Sequence, residues 1–239
     1  MNINFSGKVV LVAGGTGGLG KAVSLAFLAE GAKVVVTYRK ETEFNALRQA
    51  ADGSSPSLEG YLVDVTDEAA TRELIASILI QHGSVDCLIN TVGGYAGGLT
   101  LWEMETKVFD SMLSLNLRSG YSLARAALPV MLKQRHGAIV NVAAKAALDH
   151  GAGASAYAAS KAAAVAMMDS LAADVKGTGI RVNSILPSII DTAVNRQAMP
   201  TADFTAWPKP EELASVILFL CSDMATAVHG AAVPVYGNR

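Results

Sequence analysis

A glycine-rich run, Ala13-Gly14-Gly15-Thr16-Gly17-Gly18-Leu19-Gly20, lies between an apolar stretch from Lys8 to Ala13 and an amphipathic one from Gly18 to Glu30. The short continuous apolar run reads as a buried strand. In the second stretch Leu19, Val23, Ala26 and Phe27 recur at helical spacing, which gives a helix one face to lay on a sheet. Glycines between the two allow a sharp turn and let backbone approach a pyrophosphate. That charge would meet the unpaired N–H groups and the positive end of the helix. The run therefore predicts a dinucleotide-binding turn at the head of an α/β chain.

The same order of elements then repeats. Lys33 to Tyr38, Leu58 to Asp64, Val85 to Asn90, Ala138 to Ala143, Ile180 to Leu186 and Ala232 to Tyr236 read as further strands. Helices are expected over Glu43 to Ala51, Asp67 to His82, Glu103 to about Gln134, the stretch carrying Tyr157, and Pro210 to Cys221. The strands are Val-rich apolar runs without alternation, the mark of a parallel sheet covered on both faces. No linker or repeat divides the chain, and at 51% hydrophobic residues it can bury a sizeable core. The expectation is one α/β domain over residues 1–239: a doubly wound, seven-stranded parallel sheet of the Rossmann type with helices on both faces.

Composition narrows the partners. A net charge of -2 gives no reason to expect nucleic acid or an anionic membrane. No apolar run reaches the length of a membrane span and the N-terminus lacks a signal pattern, so a soluble cytoplasmic protein is expected. Cys87 and Cys221 have no partners at set spacing and read as small core hydrophobes in a reducing compartment. His82, His136, His150 and His229 sit near turns or element ends, none with a metal-ligand partner at useful spacing, so no metal is expected.

The second chemical feature is the pair Tyr157 and Lys161. Four residues apart on a helix, their side chains share a face. An ammonium beside a phenol favours the phenolate, which would lower a pKa near 10 toward the range where Tyr exchanges a proton with substrate.

With the glycine turn and this pair both present, the chain resembles the short-chain dehydrogenase/reductase family over nearly its whole length. The family glycines fall on Gly14, Gly18 and Gly20, with Thr16, Gly17 and Leu19 in the same turn. The resemblance implies that Asp64-Val65 holds adenine. Asn90-Thr91-Val92-Gly93 stands where the family usually has Asn-Asn-Ala-Gly, and Asn116 stands where a helix asparagine helps to position Lys161 through water. Pro187 to Thr192, including Ile190, would meet the nicotinamide carboxamide. Tyr157 becomes the acid/base, and Lys161 both lowers its pKa and binds the nicotinamide ribose. A small-molecule substrate and a homodimer or homotetramer are implied as well.

One departure stands out. The family usually has a serine thirteen residues before its tyrosine, and here that position is Ala144. Its hydroxyl normally hydrogen-bonds a substrate carbonyl, and losing such a donor costs roughly 10²–10³ in rate. Ser155 and Ser160 are not expected to replace it. Three local stretches resemble the dihydropteridine reductase branch, which also lacks the serine: Ala143 to Asp149, Gly93 to Gly98, and Leu186 through Trp207. In that branch a tryptophan occupies the place of Tyr95, where a flat aromatic suits a pterin-like ring. Tyr95, Ala144 and Trp207 are therefore expected at the substrate. Residues 188–209 are read as a substrate lid that orders on binding, with little regular pattern from Ala193 to Lys209.

The strand end Thr37-Tyr38-Arg39-Lys40 bears on the cofactor. An acidic residue there would accept both ribose hydroxyls and repel a 2′-phosphate. Tyr38 followed by Arg39 and Lys40 offers two cations and no anion, so NADP(H) is preferred, with NAD(H) as the alternative. The leading expectation is an NAD(P)H-dependent oxidoreductase acting on a pterin-like or quinonoid substrate. A ketone or 3-oxoacyl reductase or alcohol dehydrogenase, and a catalytically weak NADP-binding regulatory protein, are the alternatives.

Overall fold

The computed structural model describes residues 3–51 and 57–237. Seven parallel strands form one sheet in the order β3-β2-β1-β4-β5-β6-β7. They are β1 Val9–Ala13, β2 Lys33–Tyr38, β3 Leu58–Leu62, β4 Cys87–Asn90, β5 Gly137–Val142, β6 Ile180–Pro187 and β7 Ala232–Val235. Every residue of β1 is buried, because β1 sits at the centre with helices on both faces; the edge strand β3 is only half-buried. The order reverses between β1 and β4, which opens a crevice above their carboxyl ends.

Side chains alternate across the sheet and sort the core into two layers. Val10 and Val12 join Val23 and Phe27 of α1 (Gly18–Ala29) and Leu213 and Ile217 of α8 (Pro210–Cys221). Val9 and Leu11 point the other way, to Ile78 of α3 (Glu68–His82), Leu123 of α5 (Ser119–Gln134) and Met168 of α6 (Ser155–Asp174). The remaining helices are α2 (Glu41–Ala50), α4 (Thr106–Leu113) and α7 (Ala193–Ala198).

Local chemistry explains the element ends. Asp67 caps α3 by accepting from the N–H groups of Ala69 and Ala70 at 2.7 and 3.2 Å, and Gly83 ends it at φ 79°, a left-handed conformation costly for any other residue. Pro210 opens α8, where its missing N–H is no loss. The long helical region expected from Glu103 starts instead at Thr106, since Glu103 belongs to a separate 3₁₀ turn, Leu101–Glu103. Between α4 and α5 the helix widens into a π turn, Ser114–Arg118.

The cysteines are corrected in one respect. Cys87 and Cys221 are free and buried as expected, but they are partners in space: Cys221 against Cys87, together with burial, raises the Cys87 thiol well above its usual pKa. No helix among the described residues is long and apolar enough to cross a membrane. No group of three His, Cys, Asp or Glu among them could hold a metal ion. The histidines serve the frame: His136 meets Asp86 at 2.8 Å, while His229 reaches Ala172 O at 2.8 Å and accepts from the Val182 N–H at 3.2 Å.

Candidate active site

The carboxyl end of β1 turns through the glycine run into α1. Gly14 has φ +73°, and a Cβ there would meet Thr91 Oγ1 and Val92 Cγ2 at 3.0 Å. A Cβ on Gly20 would lie 2.0 Å from Gly14 O, and one on Gly18 would lie 2.8 Å from Thr192 Cγ2. The turn is pinned from both sides. Gly14 N donates to Thr37 Oγ1 at 3.0 Å, and Thr91 Oγ1 donates to Ala13 O at 2.7 Å. The N-cap Gly17 offers α1 no side-chain hydrogen bond, and Gly17 and Gly18 are exposed. First-turn N–H groups left without a capping side chain, above a backbone cradle that side chains would fill, fit a pyrophosphate. Leu19 contributes only backbone there, because its side chain is buried in the core.

Beside this turn, at the ends of β4 and β5, lies a buried polar cluster. Asn90 Nδ2 donates to Asn141 Oδ1 at 3.0 Å and Ser119 Oγ at 3.3 Å, while its Oδ1 accepts the Val92 N–H at 3.1 Å. The π turn aims Asn116 inward, where it is 2% exposed. Its amide clamps Gly94 at both backbone groups, each at 3.0 Å, and donates to Ser160 Oγ at 3.0 Å. Ser160 in turn donates to Tyr157 O at 2.8 Å, so its hydroxyl is occupied. A Cβ on Gly93 would fall 2.9 Å from Asn116 Oδ1 and 3.1 Å from Lys161 Nζ. Asn116, Gly93 and Lys161 thus adjoin one another.

Tyr157 and Lys161 lie on the same helix, α6, but the electrostatics differ from expectation. Burial and the neighbouring Tyr95 push the Tyr157 phenol up to about 12, and the ammonium does not offset them. Lys161 is itself buried, which brings it down to about 8, and its Nζ donates to Val142 O at 2.9 Å. The correction has a plain cause. Helical spacing puts the two on one face, yet the carbonyl at the end of β5 takes the lysine proton donor, and both groups lose hydration.

The side expected to face substrate is aromatic. The Tyr95 ring stands edge-on to Tyr157 with centroids 5.0 Å apart and planes at 79°. Ala144 is buried and offers no hydroxyl. Ser155 Oγ is buried without a hydrogen-bond partner among the described residues. Trp207 packs on Phe204 at 5.0 Å rather than on either tyrosine. The segment expected to lack pattern is ordered by local contacts: Thr192 caps α7, Asp191 holds Arg196 through two hydrogen bonds of 2.5 and 2.8 Å, and Arg196 lies over the Phe204 ring at 4.8 Å. Ile190 O accepts from Asn195 Nδ2 at 2.8 Å, and Pro187 ends β6 beside them.

The adenosine end needs two corrections. Tyr38 does not face a cofactor through its side chain: the ring stacks on Phe44 at 4.8 Å in the core, and its hydroxyl donates to Glu41 Oε2 at 2.6 Å. Nor is the strand end free of anions. Lys40 Nζ pairs with Glu43 Oε1 at 3.2 Å, and Thr16 Oγ1 donates to Glu43 Oε2 at 3.3 Å. Asp64, held low by hydrogen bonds from Thr66 and also by Arg39, lies near the other cation, and Val65 has its side chain in the core. Sequence reading missed Glu43; the available signal was an acid in the first turn of the helix after β2, where the helix dipole favours one.

Comparisons with known proteins agree with this fold. Residues 8–203 match the family described as short chain dehydrogenase. The 3-oxoacyl-(acyl-carrier-protein) reductase FabG of Thermotoga maritima is 32% identical over 99% of both chains. The D-threitol dehydrogenase of Mycolicibacterium smegmatis is 31% identical over 99% of this chain and 94% of its own. Among solved structures, one described as ElxO with NADP bound superposes with a TM-score of 0.90 at 26% identity, covering 96% of this chain and 97% of that one.

Proposed function

Because the chain belongs to the short chain dehydrogenase family and is therefore an oxidoreductase, we propose that it is an NADPH-dependent reductase of carbonyl substrates, with 3-oxoacyl thioesters the leading class. The observation that carries this reading is a phenol, Tyr157, on the helix that also carries the buried Lys161, kept protonated by burial next to a second phenol, Tyr95. The FabG relatives favour the thioester class, and the NADP-bound neighbour favours the cofactor.

In this reading the dinucleotide supplies the hydride. Gly14, Thr16, Gly17, Gly18, Leu19 and Gly20 hold its pyrophosphate, Asp64 and Val65 its adenine, and Asn90 to Gly93, Pro187, Ile190 and Thr192 its nicotinamide half. Lys161 binds the ribose, positioned by Asn116 through Gly93 and Gly94. Tyr157 gives its proton to the oxygen that the reduction leaves negative. With Ala144 lacking a hydroxyl, Tyr95 is the neighbouring donor that steadies that oxygen. Residues 188–209, with Trp207, close over the substrate.

The absent hydroxyl at Ala144 also favours a second reading. A pterin-like or quinonoid ring spreads incoming charge over several heteroatoms and needs one donor only. NADPH consumption with acetoacetyl thioesters, a ketone panel and quinonoid dihydropterin separates the two. Ala144→Ser should raise kcat/KM for ketones and thioesters by at least tenfold, toward the roughly 10²–10³ that such a donor commands. An unchanged rate on thioesters together with fast dihydropterin turnover would reverse the order of the two readings.

The assembly is a homodimer or homotetramer. Asp110, Leu113, Leu117, Tyr121 and Met167 line a groove of about 820 Å³ formed by α4, the π turn, α5 and α6, and this is the face that a second copy would cover. Light scattering should give at least twice the 24.7 kDa chain mass, and a monomer at micromolar concentration would count against that.

A further inference from the structure

Two acids open α2, and they are held differently. Glu41 is tied inward by the Tyr38 hydroxyl at 2.6 Å. Glu43 spans a gap: one carboxylate oxygen meets Thr16 of the glycine turn at 3.3 Å and the other meets Lys40 at the end of β2 at 3.2 Å. In a doubly wound sheet the first turn takes the pyrophosphate, and the end of the second strand meets the adenosine ribose at its 2′ position. The carboxylate therefore stands between the two places where one nucleotide would be gripped.

We infer that Glu43 is a specificity-determining residue that limits the preference for NADPH over NADH. The inference rests on the dinucleotide reading above. A free ribose 2′-hydroxyl can donate to the carboxylate where Thr16 now does. For a 2′-phosphate, Glu43 is a like charge and a competitor for Lys40, so its side chain has to leave the ion pair before Lys40 can serve the phosphate. Both side chains are exposed enough to move, at 43% for Glu43 and 71% for Lys40. The pair is consequently a latch on the phosphate site rather than part of the fold's frame. With the latch closed, a basic strand end leaves room for NADH to compete.

Direct titration of NADPH and NADH by protein fluorescence tests this without any substrate. Glu43→Gln should tighten NADPH by about tenfold, the order of one charge-assisted contact, and leave NADH equal or weaker. Lys40→Gln should weaken NADPH more in the Glu43→Gln background than in the wild-type chain, because only there is Lys40 free for the phosphate. An unchanged NADPH/NADH affinity ratio in Glu43→Gln, or equal effects of Lys40→Gln in both backgrounds, overturns the latch while leaving the dinucleotide reading standing. Failure of the wild-type chain to bind either dinucleotide overturns both. Unchanged thermal unfolding of the variants identifies the effect as local.

Discussion

Tyr157→Phe is expected to lower kcat for carbonyl reduction by about 10²–10⁴-fold, the range of a general acid, while NADPH binding stays within a few-fold of wild type. The substitution keeps the ring, so the edge-on contact with Tyr95 at 5.0 Å and the packing of α6 survive. Only the phenolic hydroxyl, with its proton, is lost. The pH dependence has a definite sign. Reduction needs the protonated phenol, which persists up to about 12, so Tyr157 sets no limit near neutrality. Lys161 loses its proton as pH rises through about 8, and with it the charge proposed to serve the ribose. The reductive rate should therefore hold through neutrality and fall above about pH 8. The oxidative rate needs phenolate and should climb with pH up to about 8, above which loss of the Lys161 charge limits it too. A Tyr157→Phe variant that retains wild-type kcat, or an oxidative rate that peaks below neutrality, would remove Tyr157 from the proton-transfer role.

Gly20→Ala should abolish dinucleotide binding at millimolar concentration and destabilise the fold by about 1–3 kcal/mol, as overpacked sites do. The added methyl would sit 2.0 Å from Gly14 O and 2.8 Å from its carbonyl carbon. Backbone is the obstacle, and it cannot yield cheaply. Gly14 is held by Thr37 at 3.0 Å, Gly17 N donates to Gly14 O at 3.1 Å, and Thr91 braces Ala13 from behind. Relief would require α1 to withdraw from β1, opening the cradle and uncovering Val23 and Phe27. Gly17→Ala is the control, since its methyl would meet Gly14 O at 3.5 Å, an ordinary contact. That variant should unfold at the wild-type urea midpoint. Equal NADPH affinity in Gly20→Ala and wild type would show that the turn is not the phosphate cradle.

The fold was legible because its signals are local and periodic. Val-rich runs of strand length separated by amphipathic helices admit few arrangements, and all seven strands lie where the runs predict, within a few residues. Glycine at position 14 was legible for the same reason, since its left-handed backbone excludes most other residues. The π turn was not. Nothing in Ser114–Arg118 announces an extra residue per turn, apart from an asparagine in a helix interior that disfavours it. Asn116 was placed by resemblance alone, and its grip on Gly94 and Ser160 emerged only from geometry.

By itself the sequence determined the sheet, the glycine turn between β1 and α1 and the pairing of Tyr157 with Lys161 on one helical face, because each follows from spacing along a single element. Tertiary structure alone decided the charges. Whether a lysine lowers its neighbour's pKa depends on which carbonyl it meets and how much water remains, and here Val142 O and burial set the outcome. Whether a basic strand end is open to a phosphate depends on which acid folds back over it, and Glu43 does so from the next helix. Spacing is written along the chain, whereas electrostatic fields are sums over neighbours that only folding brings together.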